Sequence, residues 1–130
     1  MNSNEIYEKV TQCIMDAGSV SRESVSPEKR LIEDLSFDSI DLLDLLYSIE
    51  TAFGVSIETG EIEQMAQDKL GDAPLAIDSV VTPEGLAVVK LLLPEVPEEY
   101  YPENLKVYQI PYLFTVKTLC SIIEKKLHEK

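Results

Sequence analysis

Residues 31–58 read LIEDLSFDSIDLLDLLYSIETAFGVSIE, and the fold turns on the part that follows Asp38. There Ile40, Leu43, Leu46 and Ile49 recur every third residue, with Leu42, Leu45 and Phe53 widening the stripe. This is the spacing of an amphipathic α-helix. Asp38 or Ser39 can open the helix, because either side chain can accept a hydrogen bond from the unpaired amides of the first turn, and Gly54 closes it.

Working outward, Ile6, Val10, Cys13, Ile14 and Ala17 form one helical face, so a first helix is expected over 3–17 with Gly18 as its stop. The segment from Ser19 to Asp38 is rich in Ser and charge and holds Pro27, which marks a long loop. Leu31, Ile32, Leu35 and Phe37 recur within it and are expected to pin it to the core, since long unanchored loops are uncommon in compact domains. At the far end Val116, Leu119, Cys120, Ile123 and Leu127 predict a final helix on the same core. Between the two, Thr59 is placed to cap a short helix carrying Ile62, Met65, Ala66 and Leu70. Thr82-Pro83-Glu84 opens another, carrying Leu86, Val89 and Leu93 and stopped by Pro94 and Pro97. The LKVYQI run, 105–110, reads as extended.

The chain has 130 residues, enough for one domain with a real core and too few for two ordinary ones. Its 24 acidic and 11 basic residues give a net charge of −13, which repels nucleic-acid phosphates and anionic headgroups. Nucleic-acid binding and membrane-surface binding are therefore excluded as expectations. The first ten residues already carry two Glu and a Lys, which does not suit a signal peptide, and no segment approaches a membrane span. Two cysteines, Cys13 and Cys120, are too few for a disulfide scaffold, so a reduced, cytoplasmic, monomeric protein is expected.

Self-contained catalysis is not indicated, and the chain is read as no enzyme. The single histidine, His128, falls beside Lys125, Lys126 and Lys130 in the last turn of the final helix, where solvent-facing side chains are the rule. Two cysteines and one histidine at these separations match no zinc site, so no metal is expected, and there is no glycine-rich phosphate loop. Cys13 and Cys120 both fall on apolar stripes and read as buried, reduced thiols.

The junction itself is the informative motif. Glu33-Asp34-Leu35-Ser36, then Asp38-Ser39-Ile40, then Glu50-Thr51-Ala52-Phe53-Gly54 resemble the signature of acyl carrier proteins, in which Asp-Leu-Gly precedes Asp-Ser-Leu and a helix ends in Glu-x-x-Phe-Gly. Ser36 replaces the usual Gly, and Ile40 the usual Leu. The resemblance covers about residues 3–58 and 113–130. It implies an all-α, four-helix bundle in which a phosphopantetheinyl transferase attaches 4′-phosphopantetheine to Ser39. The arm's thiol then holds acyl groups as thioesters for partner enzymes. It also implies that the acidic side chains Asp38, Asp41 and Asp44 meet basic docking patches on acyl synthases and transferases. Apart from the resemblance, a serine hydroxyl at a helix start suits an anionic tether, since unpaired amides and the positive end of the helix dipole lie beside it.

An ordinary carrier has only a short helix between its Phe-Gly and the Thr-Val of its last helix, whereas here about sixty residues separate Gly54 from Thr115. An insertion over 59–112 with about two extra helices is therefore expected, packed on the bundle and widening the acyl pocket or serving enzyme docking. The ending Tyr112 to Cys120 resembles carriers specialised for long acyl chains of lipid A, which points to a specialised lipid pathway, fatty acid or polyketide-like. A peptidyl or aryl carrier, and an unmodified acidic interaction module, stay open as alternatives.

Overall fold

The computed structural model of the chain describes all residues except 59 and 130, and its contacts divide it into two units, 1–57 with 114–130 and 58–113. In the first unit, α1 (Ser3–Gly18), α2 (Ser39–Phe53) and α5 (Val116–His128) surround one apolar core, with α1 packed on both of the others. Ile6, Val10, Ile14, Leu45, Ile49, Val116, Leu119 and Ile123 are fully buried there. Each of these helices opens on a reciprocal side-chain cap: Asn2 with Glu5, Asp38 with Asp41, and Thr115 with Thr118. Such a cap satisfies two otherwise unpaired amides at once.

Gly18 acts differently from the expected stop. The helix runs through it, and the left-handed residue is Ser19, at φ 54°. What Gly18 provides is room, because a Cβ there would lie 2.3 Å from Cε1 of the Phe37 ring. The loop between α1 and α2 is anchored as its apolar residues imply: Val25, Leu31, Leu35 and Phe37 are buried, while Ile32 is half-buried. Its backbone is tied to the start of α5. Leu31 N–H donates to Phe114 O at 3.0 Å, Val116 N–H to Lys29 O at 2.9 Å and Lys117 N–H to Pro27 O at 2.9 Å.

Residues 58–113 hold α3 (Glu61–Leu70) and α4 (Pro83–Leu92), which pack on each other, and a hairpin of β1 (Ala76–Ile77) with β2 (Val80–Val81). Thr82 caps α4 by accepting from Gly85 N–H at 3.0 Å, with Pro83 as first helical residue. The cap expected at Thr59 lies outside the described residues. The hairpin turns through Asp78 and Ser79, both at positive φ, and the pairing of Val80 with Lys106 continues the ladder.

The extended reading of 105–110 is corrected: from Val107 to Leu113 the chain winds as a 3₁₀ helix. Gln109 decides this locally, its amide donating to Lys106 O and its side chain accepting from Lys106 N–H, both at 2.8 Å. Pro111, which lacks an amide, would in any case weaken a ladder there. Apart from the small hairpin and two isolated bridges, the regular structure of the described residues is helical, as expected. Among the described residues no helix is long and apolar enough to cross a membrane.

Candidate functional site

The site grows from the loop that delivers the chain to α2. Asp34 closes its first turn by accepting Arg30 N–H at 2.7 Å and the Arg30 guanidinium Nε at 3.2 Å, while Asp34 N–H and Leu35 N–H donate to Arg30 O. Burial alone would raise the Asp34 carboxyl. The Arg30 hydrogen bonds and charge, with Lys29, outweigh it and hold the group below the ordinary carboxylate value. Ser36 then turns the chain at φ 61°, in the left-handed region that favours glycine, at the position where carriers have one. Phe37 follows, its ring on Gly18 and its N–H donating to Leu31 O.

Asp38, and not Ser39, is the cap of α2. Its carboxylate accepts Asp41 N–H at 2.9 Å, and the Asp41 carboxylate accepts Asp38 N–H at 3.1 Å. Ser39 becomes the first residue of the helix, exposed, with a hydroxyl that makes no hydrogen bond among the described residues. The amides of Ser39 and Ile40 are likewise left for an outside acceptor, at the positive end of the dipole. A phosphodiester on the Ser39 oxygen would meet donors there, so these residues fit a covalent 4′-phosphopantetheine group.

The acidic residues divide into two kinds. Asp38 and Asp41 are engaged in the cap, whereas Asp44 is exposed and makes no hydrogen bond or ion pair among the described residues. Sequence reasoning assigned all three to partner docking and missed this division, although the spacing of Asp38 and Asp41 is that of a capping box. Ile40, Leu43 and Tyr47 are exposed on the outer side of α2, so the regular stripe read through Ile40 and Leu43 is not the buried one. The core face is Leu45, Ile49 and Phe53.

The other titratable candidates stand away from chemistry. His128 is exposed in the last turn of α5. Cys13 is buried and Cys120 only half-buried, which corrects the expectation for the latter. Burial raises both thiols, that of Cys120 to about 11.

Comparison with known proteins places the geometry. Residues 8–68, which include Ser39 and run into α3, match the family described as the phosphopantetheine attachment site. The acyl carrier protein of Thermosynechococcus vestitus is 43% identical over 65 residues, half of this chain and 80% of that protein. That of Petrotoga mobilis is 38% identical over 65 residues, 76% of its length. The acyl carrier protein AcpXL of Brucella melitensis is 36% identical over 62 residues, 48% of this chain and 63% of that one. With four-fifths of a carrier's length aligned at this identity around an unencumbered serine, the chain belongs to the acyl carrier protein family, the carriers of covalent 4′-phosphopantetheine.

Proposed function

We propose that Ser39 is the residue that carries the arm, and that this chain shuttles acyl intermediates between enzymes of a specialised lipid pathway, fatty acid or polyketide-like. The observation that carries the reading is the division of labour at the start of α2. Asp38 caps the helix, which leaves the exposed Ser39 hydroxyl and two amides without a structural duty. Among the described residues no base is hydrogen-bonded to that hydroxyl, so the proton lost on modification is to be taken by the phosphopantetheinyl transferase. When bound, the arm supplies a thiol that holds the acyl group as a thioester. The chain's own residues present it, Asp38 and Asp41 fixing the helix start and Asp44 offering charge to basic patches on the transferase and acyl enzymes.

The likeness to AcpXL proteins, alongside an equal or greater likeness to ordinary acyl carrier proteins, supports the specialised reading together with the Tyr112 to Cys120 ending. A reduced, cytoplasmic monomer fits the two unpaired thiols. Intact mass after coexpression with a promiscuous transferase tests the reading: one phosphopantetheinyl addition on the wild type and none on Ser39→Ala is expected. That variant should keep its stability within about 0.5 kcal/mol, because the cap is Asp38. Addition elsewhere, or none with several transferases, would overturn the assignment in favour of an unmodified interaction module. Loading with acyl rather than aminoacyl or aryl groups separates the carrier classes. For docking, Asp44→Lys should slow arm attachment through the association rate, and added salt should do the same to the wild type.

A further inference from the structure

Among the described residues, the large apolar side chains that stay exposed fall, apart from Met1, into two groups: Ile40, Leu43 and Tyr47 on α2, and Ile77, Leu91, Tyr108 and Tyr112 in residues 58–113. The second group lies outside the arm site. Two of its members, Ile77 and Tyr108, are 61% and 63% exposed and are joined through the hairpin. Ile77 pairs with Val80, Val80 pairs in turn with Lys106, and Val107 N–H donates to Ser79 O at 2.8 Å, which sets Tyr108 beside the turn.

Opposed residues of an antiparallel ladder project to the same face, so Ile77, Val80 and Lys106 share one face and Ala76, Val81 and Leu105 the other. Val81 and Leu105 are buried, as are Ile110 and Leu113 of the 3₁₀ helix. The inner face therefore supplies the packing of this region, and the outer one is left to solvent. A cross-strand Ile–Val pair steadies a hairpin by itself. It does not account for Tyr108, which comes from another element.

The two anchors stand on fixed backbone. Val81 N–H donates to Leu105 O, and Gln109 and Lys106 exchange two hydrogen bonds, all at 2.8 Å. An aromatic side chain on such a support loses little freedom when it is covered, and tyrosines of this kind are frequent among the residues that dominate protein interfaces. Charge names the kind of partner. Residues 58–113 hold 11 acidic and 3 basic side chains, which is −8 of the chain's −13. Of the three bases, Lys90 is paired with Glu98 and Lys106 is half-buried, whereas Asp78 in the turn and Glu103 just before the ladder are exposed. Such a surface repels a second copy of the chain and an anionic lipid surface, and attracts a cationic protein.

We infer that the outer face of the hairpin, with Ile77 and Tyr108 as its anchors, is a docking surface separate from α2, and that its occupant is a protein presenting an apolar recess rimmed by Lys and Arg. The inference goes beyond the arm site and holds for the chain with or without the arm.

The test titrates the whole protein with a short amphipathic helical peptide of Lys and Leu, and with a Lys and Gln peptide of the same charge, and follows amide chemical shifts. The Lys–Leu peptide should shift Ile77, Asp78, Val80 and Tyr108, and the Lys–Gln peptide should bind there about tenfold more weakly, because it has nothing to cover the anchors with. Added salt should weaken both. Tyr108→Ser and Ile77→Ser should each lower the affinity of the Lys–Leu peptide at this face about tenfold, the order expected of an anchor. If Ile77→Ser disturbs the hairpin, which the Leu105 amide would show, Tyr108→Ser at its exposed position decides alone. Shifts confined to Ile40, Leu43 and Tyr47 would overturn the proposal, as would equal binding of the two peptides or an affinity unchanged in Tyr108→Ser. Shifts at Ile77 and Tyr108 that grow with protein concentration in the absence of peptide would make the occupant a second copy and overturn it too. Failure of Ser39 to gain the arm would leave these outcomes as they are, so the two readings fall separately.

Discussion

The two units solve the same problem, satisfying backbone while burying apolar side chains, by different means. Residues 1–57 with 114–130 use helices of 16, 15 and 13 residues, each opened by a reciprocal cap. Residues 58–113 use α-helices of 10 residues, and α3 begins at Gly60 with no side-chain cap. There the loops are held by single polar side chains. Gln67 donates to Gly71 O and Ala73 O and accepts Leu75 N–H, and the Thr82 hydroxyl donates to Pro74 O at 2.9 Å. Both buried side-chain oxygens that lack a partner among the described residues, Glu63 Oε1 and Tyr101 Oη, also lie in this unit. Periodic packing is tolerant of local error, whereas a stapled loop concentrates its stability in a few contacts.

Steric tests should expose that difference most strongly. In Gly85→Ala the new Cβ would lie 2.4 Å from Leu75 O, a backbone atom that also accepts Thr82 N–H. In Gly18→Ala it would meet the Phe37 ring, which can move. We expect losses of about 3 kcal/mol for Gly85→Ala and about 2 kcal/mol for Gly18→Ala in urea unfolding. A smaller loss at Gly85 than at Gly18 would break the contrast.

Acid titration should give opposite signs in the two units. The Asp34 carboxyl is held below its ordinary 3.8, so it contributes stability above that value which is lost as pH falls through its folded pKa. Glu63 is raised above its ordinary 4.5 by burial, so its contribution is full below that value and is lost as pH rises through its folded pKa. Asp34→Asn should therefore cost least in acid. Glu63→Gln should gain stability relative to wild type as pH rises, reaching a plateau near neutrality. Unfolding midpoints of both variants, measured from acid to neutral pH, check the two slopes.

The smallest effects should be gains. Ser36 at φ 61° and Ser79 at φ 72° occupy the left-handed region at a loop turn and a hairpin turn. Replacing either with Gly should stabilise by about 0.5 kcal/mol, the relief of a side-chain clash less the added chain entropy. Thermal unfolding of the two variants would show whether the units differ in how much turn strain they carry.

The same contrast explains what could be read from the sequence. The α1 and α5 stripes were legible because Ile6, Val10, Ile14 and their counterparts repeat at helical spacing, and the Asp38-Ser39 junction because its residues are contiguous; α2 was legible as a helix, but its regular three-residue repeat through Ile40 and Leu43 pointed to the exposed side. Thr82-Pro83 was legible as a local start signal. The pairing that brings Tyr108 to the hairpin was not, since it joins Val80 to Lys106 across the whole of α4, and neither position signals the other. Nor was the packing role of Gly18, which is set by a ring nineteen positions away in the loop. The 3₁₀ segment from Val107 escaped because Gln109 overrides an alternation that otherwise favours a strand.

The tie between Leu31 and Phe114 has a consequence for the order in which the chain becomes competent. The loop that presents Ser39 is registered against residues synthesised only after the whole of 58–113 has been made. A chain still being made lacks that partner until Phe114 has been synthesised and released from the ribosome. Arrested chains ending before Phe114 should accordingly be poor transferase substrates. Chains truncated before Phe114 should therefore present Ser39 on a loop that lacks its backbone partner.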